Sequence, residues 1–176
     1  MKRLWLGAPV LVVLFAACGG GKIFKLNSGS MEPTLRLGQA VVIDPHARTP
    51  RVGQIVAYYA PRVVDVSVPC ANRRQGVDHK QACGEAGSTR SNAVFIKRVV
   101  GLPGDSIAIV GGRVVRNGKR EAEAYAQPCD DPVCNFPRAV TIPAGEYFLL
   151  GDSRGSSYDS RLYGPVPGAW IVGTRR

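Results

Sequence analysis

The sequence predicts a mainly β chain, and three observations lead there. Its 176 residues include 21 Gly and 13 Pro, a supply of turn formers that suits short strands better than long helices. Runs of β-branched and aromatic residues are short and bounded by Gly or Pro, and no segment sustains the apolar period of an amphipathic helix. Two dipeptides, Gly111-Gly112 and Asn117-Gly118, accept the positive φ that tight hairpin turns demand. At this length the chain makes one domain with a sizeable core, and hardly two.

In chain order, Lys2-Arg3 comes first and is followed by the uncharged stretch Leu4 to Cys18, extended by Gly19-Gly20-Gly21. Its length lies between a signal-peptide core and a full membrane span. Residues 1–21 are therefore expected to be either a short transmembrane anchor with its N-terminus inside or a lipoprotein signal. In the second case Leu14-Phe15-Ala16-Ala17-Cys18 is similar to a lipobox, and Cys18 carries the lipid. Either way, residues 22–176 form a domain on the extracytoplasmic face of the cell membrane. Gly19-Gly20-Gly21 and the flanking bases suit a boundary better than a packed core helix.

The formal charge of +10 agrees with that placement, because Lys2, Arg3, Lys22 and Lys25 meet no acid in the first 25 residues. Basic surfaces serve nucleic acid or anionic membranes. Since no zinc-finger or helix-turn-helix spacing accompanies the charge, the membrane phospholipid is the expected partner and nucleic acid is not.

Ala40–Ile43 and Gln54–Tyr59 read as the first strands. Between Pro69 and Asn92 the chain turns polar and basic, so residues 69–92 are expected to be a mobile insertion loop clipped by Cys70 and Cys83. Ser106–Val110 and Arg113–Arg116, joined by Gly111-Gly112 and followed by Asn117-Gly118, read as a meander, and Glu146–Leu150 as a further strand. Cys129 and Cys134 bracket a short loop. Local disulfides Cys70–Cys83 and Cys129–Cys134 are the simplest pairing, leaving Cys18 odd; four cysteines allow three connectivities, and a Cys₄ zinc site stays open although no C-x₂-C spacing favours it. The expected metal content is none.

Three separated segments carry the chemistry. In Ser28-Gly29-Ser30-Met31-Glu32-Pro33-Thr34-Leu35, two hydroxyls flank a glycine, and Pro33 biases Glu32 toward an extended backbone, so a taut loop exposing Ser30 is expected. In Val94-Phe95-Ile96-Lys97-Arg98-Val99-Val100, strand alternation puts Lys97 on the face of Phe95 and Val99 and Arg98 on that of Ile96 and Val100. One of the two bases therefore faces apolar surroundings. An unperturbed lysine is neutral at pH 7 about once in two or three thousand molecules, so acting as a base requires its pKa to fall by roughly two to three from about 10.4, which desolvation can do. Taken alone, Lys97 would more simply snorkel to the surface. In Gly151-Asp152-Ser153-Arg154-Gly155-Ser156-Ser157-Tyr158-Asp159-Ser160-Arg161, hydroxyls could orient a lysine amine and Asp159 could pair with Arg161.

The third segment also matches G-x-S-x-G, the nucleophile elbow of α/β hydrolases. That arrangement needs a following helix and a later histidine, whereas His46 and His79 both come earlier. The same shortage argues against a Ser-His-Asp triad and leaves lysine as the natural base.

Together the three segments resemble the type I signal peptidase family, whose enzymes are serine endopeptidases with a Ser/Lys dyad. Ser28–Leu35 is similar to its S-G-S-M-x-P-T-L box, Lys97–Asp105 to its K-R-x-x-G-x-P-G-D box, and Gly151–Arg161 to its G-D-x-x-x-x-S-x-D-S-R box. The resemblance implies Ser30 as nucleophile and Lys97 as general base. Ser28, with the backbone N–H of Ser30, would form the oxyanion hole. Ser157 would hold the Lys97 amine, and Asp159 and Arg161 would support that loop. It further implies coiled antiparallel sheets, a membrane-facing apolar surface, no cofactor, and a monomer that cuts signal peptides from secretory preproteins after small residues of the Ala-x-Ala kind, bound as an added strand. The departures are Ser153, Gly155 and Ser156 in place of Asn, Asp and Asn, and Gln54 where Asp usually follows Gly53.

Three other readings compete. A dedicated Ser/Lys maturation peptidase of the same superfamily would differ in substrate, a catalytically silent envelope lipoprotein would bind exported peptides without cutting them, and a nucleic-acid module rests on charge alone.

Overall fold

The structure, a computed structural model, describes residues 20–62, 81–84, 89–129 and 134–176. The expected anchor or signal lies outside them, apart from Gly20 and Gly21, as do Cys18, Cys70 and His79. Among the described residues no helix is long and apolar enough to cross a membrane.

The chain runs through β1 (Lys22–Lys25), β2 (Ala40–Asp44), β3 (Ile55–Pro61), β4 (Arg90–Gly101), β5 (Ser106–Val110), β6 (Arg113–Arg116), β7 (Lys119–Arg120), β8 (Phe136–Thr141) and β9 (Glu146–Leu150). A one-turn helix α1 (Ser160–Tyr163), β10 (Val166–Pro167) and β11 (Ile171–Arg175) complete it. A seven-stranded sheet has the order β1-β2-β11-β3-β4-β9-β10, and a four-stranded sheet the order β7-β6-β5-β8. Among the described residues the pairings between these strands are antiparallel, and the fold is mainly β, as expected.

Strand β3 is buried on both faces. Ile55 and Ala57 enter one core with Phe24, Met31, Leu35 and Ile96, while Val56 and Tyr58 enter another with Val99, Leu149 and Tyr163. The strand register carries this two-sided burial across to β4, because Val56 lies opposite Lys97 and Tyr58 opposite Phe95. Beneath the small sheet a third core gathers Ile107, Ile109, Phe136 and Ile142 around Val100 and Leu150. β4 therefore joins all three cores. Its last residue has to be Gly101, since a Cβ there would stand 2.4 Å from Ile142 Cδ1 and 2.9 Å from Ile107.

The two hairpin dipeptides behave as expected: Gly111 and Gly112 take φ of 56° and 69°, and Asn117 and Gly118 take 52° and 77°. The insertion ends earlier than the sequence suggests, because Arg90–Asn92 already belong to β4 and Ala82 packs into the core under the small sheet. The remainder of that expectation lies outside the described residues. Four strands, β1, β8, β10 and β11, carry no clear sequence signal. β8 contains Pro137, which an edge strand tolerates, and β8 is indeed an edge. β11 contains Gly173, whose missing side chain leaves room for the Asp44 carbonyl, 2.0 Å from where a Cβ would stand.

Candidate active site

Ser30 sits in the turn that links β1 to β2. Backbone bonds from Leu26 N to Gln39 O (2.9 Å) and from Gly38 N to Leu26 O (2.8 Å) close the base of this loop. Within it Glu32 N donates to Gly29 O and Leu35 N to Met31 O, and the Glu32–Pro33 peptide is cis. Met31 and Leu35 are fully buried in the first core. These two apolar plugs draw the turn inward, so Ser30 is not displayed as expected but only 5% exposed.

The partner is Lys97. It is 4% exposed on β4, and its Nζ donates to Ser30 Oγ at 2.7 Å while lying 5.6 Å from the centre of the Phe95 ring. It does not snorkel. Burial pushes its amine down to about 8; Asp159 acts against that shift and Arg161 with it. Ser28 Oγ lies 3.2 Å from Ser30 Oγ on the more open side, with either hydroxyl able to donate.

Strand alternation holds for the neighbouring base as well, but Arg98 is also buried, so both bases leave water. Arg98 survives burial by pairing. Its Nε donates to Asp152 Oδ1 at 2.8 Å and Nη2 to Oδ2 at 2.5 Å, Nη1 reaches the Gly53 carbonyl at 2.6 Å, and the guanidinium stacks 3.9 Å from the Tyr125 ring centre. With Gly53 used through its carbonyl, Gln54 is left to accept from Arg51 N at 2.8 Å.

The segment after β9 is a knot of buried charge rather than a surface turn. Asp159 caps α1 and takes both Nε (2.8 Å) and Nη2 (2.9 Å) of Arg161, and its Oδ2 also accepts Gly151 N–H at 3.1 Å. Burial would raise the Asp159 carboxyl, but the Arg161 guanidinium and these bonds outweigh it and hold it below the usual range. Arg161 Nη2 further donates to Arg154 O at 2.8 Å. The expected Asp159–Arg161 pair is therefore present.

Ser157 does not bond to the amine: its Oγ is buried without a hydrogen-bond partner among the described residues. It is close enough to the Asp159 carboxylate to help lower that group. Gly151 fills the gap between the two loops, since a Cβ on it would stand 2.2 Å from Ser157 Oγ and 2.5 Å from Ser30 O.

The sequence reading missed Asp152, Arg154 and Glu123. Arg154 is 1% exposed and Glu123 2%, and they pair at 2.5 Å. Charged residues inside a glycine- and serine-rich stretch look like a solvated turn, and only a strand-buried Arg98 in need of a counter-charge could have pointed to Asp152.

Cys129 and Cys134 form a disulfide, which removes them from any zinc site. Cys83 is disulfide-bonded too; its expected partner Cys70 is outside the described residues.

Comparisons with known proteins agree on one family. The family model described as "Signal peptidase, peptidase S26" matches residues 3–176. A probable signal peptidase I-1 of Synechocystis sp. is 35% identical over 84% of this chain and 65% of its own length. A signal peptidase I of Leptolyngbya laminosa is 32% identical over 84% of this chain and 63% of its own, so the chain spans less than two thirds of these two relatives. Signal peptidase I V of Bacillus subtilis is 28% identical over 98% of this chain and 95% of its own length. A match that takes in the Ser30 turn, the Lys97 strand and the Asp159 knot alike means that the chain belongs to the signal peptidase family, peptidase S26.

Proposed function

We propose that this chain is a serine endopeptidase that removes N-terminal signal peptides from exported preproteins, with Ser30 as nucleophile and Lys97 as general base. The observation that carries this reading is the buried 2.7 Å hydrogen bond between Lys97 Nζ and Ser30 Oγ. An amine with its pKa at about 8 is neutral in a useful fraction of molecules near pH 7 and can take a proton without a histidine.

In the proposed reaction, Ser30 Oγ attacks the scissile carbonyl carbon and its proton passes to Lys97. The resulting oxyanion is held by Ser30 N–H and the Ser28 hydroxyl, donors of a kind whose single loss costs about 10²–10³ in rate. Collapse breaks the peptide bond, and the departing amine leaves with the proton from Lys97. Water then attacks the Ser30 ester, with Lys97 again taking a proton; collapse breaks the ester bond, Lys97 returns the proton to the departing Ser30 Oγ, and the signal peptide is released as the acid. Asp159 and Arg161 stiffen the loop that carries Ser157, whose hydroxyl is assigned to orient the Lys97 amine.

An extracytoplasmic position is supported by the Cys129–Cys134 disulfide, since such bonds persist in oxidising compartments. Preference for small residues of the Ala-x-Ala kind rests on the family.

The test is cleavage of a preprotein carrying an Ala-x-Ala site in detergent micelles. The intact chain is expected to cut after the last Ala, and Ser30→Ala and Lys97→Ala to be inert. No cleavage by a folded intact chain overturns the activity; cleavage that survives in Lys97→Ala overturns the assignment of the base.

A further inference from the structure

After β7 the chain leaves the small sheet and crosses, without regular structure for most of its length, to the Gly151–Ser156 segment. Four successive grips hold it there. The Glu123 carboxylate receives Arg154 Nη2 at 2.5 Å, Arg154 Nη1 at 3.1 Å and Val114 N–H from β6 at 2.8 Å. The Tyr125 ring lies under the Arg98 guanidinium. Gln127 N–H donates to Asp152 O at 2.8 Å, and Arg154 N–H returns to Gln127 O at 3.2 Å. Cys129, tied to Cys134, presses its backbone against Gly112 and its sulfur against Gly155, which would stand 2.6 Å and 3.6 Å from Cβ atoms there.

The far sides of the same residues reach the Ser30–Lys97 pair. Asp152 binds Arg98, the residue next to Lys97. Ser153 N–H donates to Ser30 O at 3.1 Å. Arg154 Nε donates to Gly151 O, and Gly151 is the spacer between Ser30 and Ser157. Residues 151–154 are thus held between Ser30 and Arg98, the neighbour of Lys97, on one side and residues 123–129 on the other.

We infer that Glu123–Cys129 is a positioning strap: by holding Arg154, Arg98 and Asp152 through Glu123, Tyr125 and Gln127, it fixes the Ser30 turn against Lys97. This rests on the dyad reading above. None of its residues lies in the three motif segments, and none touches the reacting atoms. Its effect is transmitted through buried ion pairs, which resist separation because a charge pulled from its counter-charge in a dry interior would be left uncompensated.

Breaking the Glu123–Arg154 pair would leave a buried charge and endanger folding, so half-buried Tyr125 is the better handle. Full-length Tyr125→Ala and Tyr125→Phe are compared with the intact chain in detergent micelles, with Ser30→Ala as the blank. Steady-state cleavage of the Ala-x-Ala preprotein gives kcat and KM. Carbon-13 NMR of ε-labelled lysine, with the Lys97 signal assigned by its loss in Lys97→Ala, follows that amine directly. The amine faces Ser30 and the charges of Asp159, Arg161 and Asp152, so its titration reports movement of the loop that bears them.

For Tyr125→Ala, kcat is expected to fall about 10- to 100-fold, in line with the cost of misplacement by about 1 Å. KM should stay within about twofold and the Lys97 titration should shift, whereas Tyr125→Phe, which keeps the ring, should stay near the intact chain in both. A Tyr125→Ala protein with unchanged kcat and unchanged Lys97 titration, or one altered only in melting temperature, overturns the strap while leaving the Ser30→Ala result to judge the activity. If the intact chain cuts nothing, the activity reading falls and the NMR arm alone decides: a shifted titration upholds the strap and an unshifted one overturns it.

Discussion

Lys97 Nζ donates a 2.7 Å hydrogen bond to the Oγ of Ser30, 67 positions earlier in the chain, and both side chains are almost wholly buried. Two elements make the meeting possible. A strand with apolar residues on both faces carries the amine into the core, and a turn plugged by Met31 and Leu35 brings the hydroxyl down to it. The consequences concern charge, pH and space.

The proposed base works only as the neutral amine, and burial puts its pKa at about 8. The value of kcat/KM for the Ala-x-Ala preprotein is expected to climb from pH 6 and level off above about pH 9. A flat profile from pH 6 to 10, with chemistry shown to limit the rate, would count against Lys97.

The same shift has a stability consequence of opposite sign to a salt bridge. The folded chain holds the Lys97 proton less tightly than the unfolded one, so between about pH 8 and 10.5 the unfolded state binds more protons and stability rises with pH. Below pH 8 the buried amine is a cost. Lys97→Met is expected to be more stable than the intact chain at pH 6.5 by up to about 3 kcal/mol, and the gap should shrink as pH approaches 10.5. Urea unfolding at both pH values measures it, and equal stabilities at pH 6.5 would refute the burial cost.

Arg98 depends on Asp152 for its counter-charge. Removing one member of a buried pair costs about 3–5 kcal/mol, and Asp152→Ala should lose that much in chemical denaturation. A loss under about 1 kcal/mol, the range of surface pairs, would mean that Arg98 escapes to water.

Gly151 separates the Ser30 and Ser157 loops at distances no side chain fits. Gly151→Ala is expected to push Ser30 away from Lys97 and reduce kcat about 10²-fold or more. Its melting temperature, measured alongside, should fall less than that of Asp152→Ala. Near-intact kcat would show that the loops yield without disturbing the pair.

Much of this was readable before folding. The strands Ser106–Val110, Arg113–Arg116 and Glu146–Leu150 have the bounds that their β-branched and aromatic runs suggest, because local pattern and turn chemistry agree there. β11 was not readable. Its pairing with β2 and β3 joins segments far apart in the sequence, and Gly173 is informative only when the Asp44 carbonyl stands against it. Arg98, Asp152, Glu123 and Arg154 were legible as charges but not as buried ones, since a charge enters a core only when a partner far along the chain meets it.

By itself the sequence determined the β character, the hairpin turns and the three segments bearing Ser30, Lys97 and Asp159, because period, turn residues and motif spacing are local properties. Only the tertiary structure decided that Ser30 is sheltered, that Lys97 and Arg98 are both dry, and that the Ser157 hydroxyl is buried without bonding to the amine. Burial and hydrogen bonding depend on which distant surfaces close over a side chain, and that arrangement exists only once the sheets have packed.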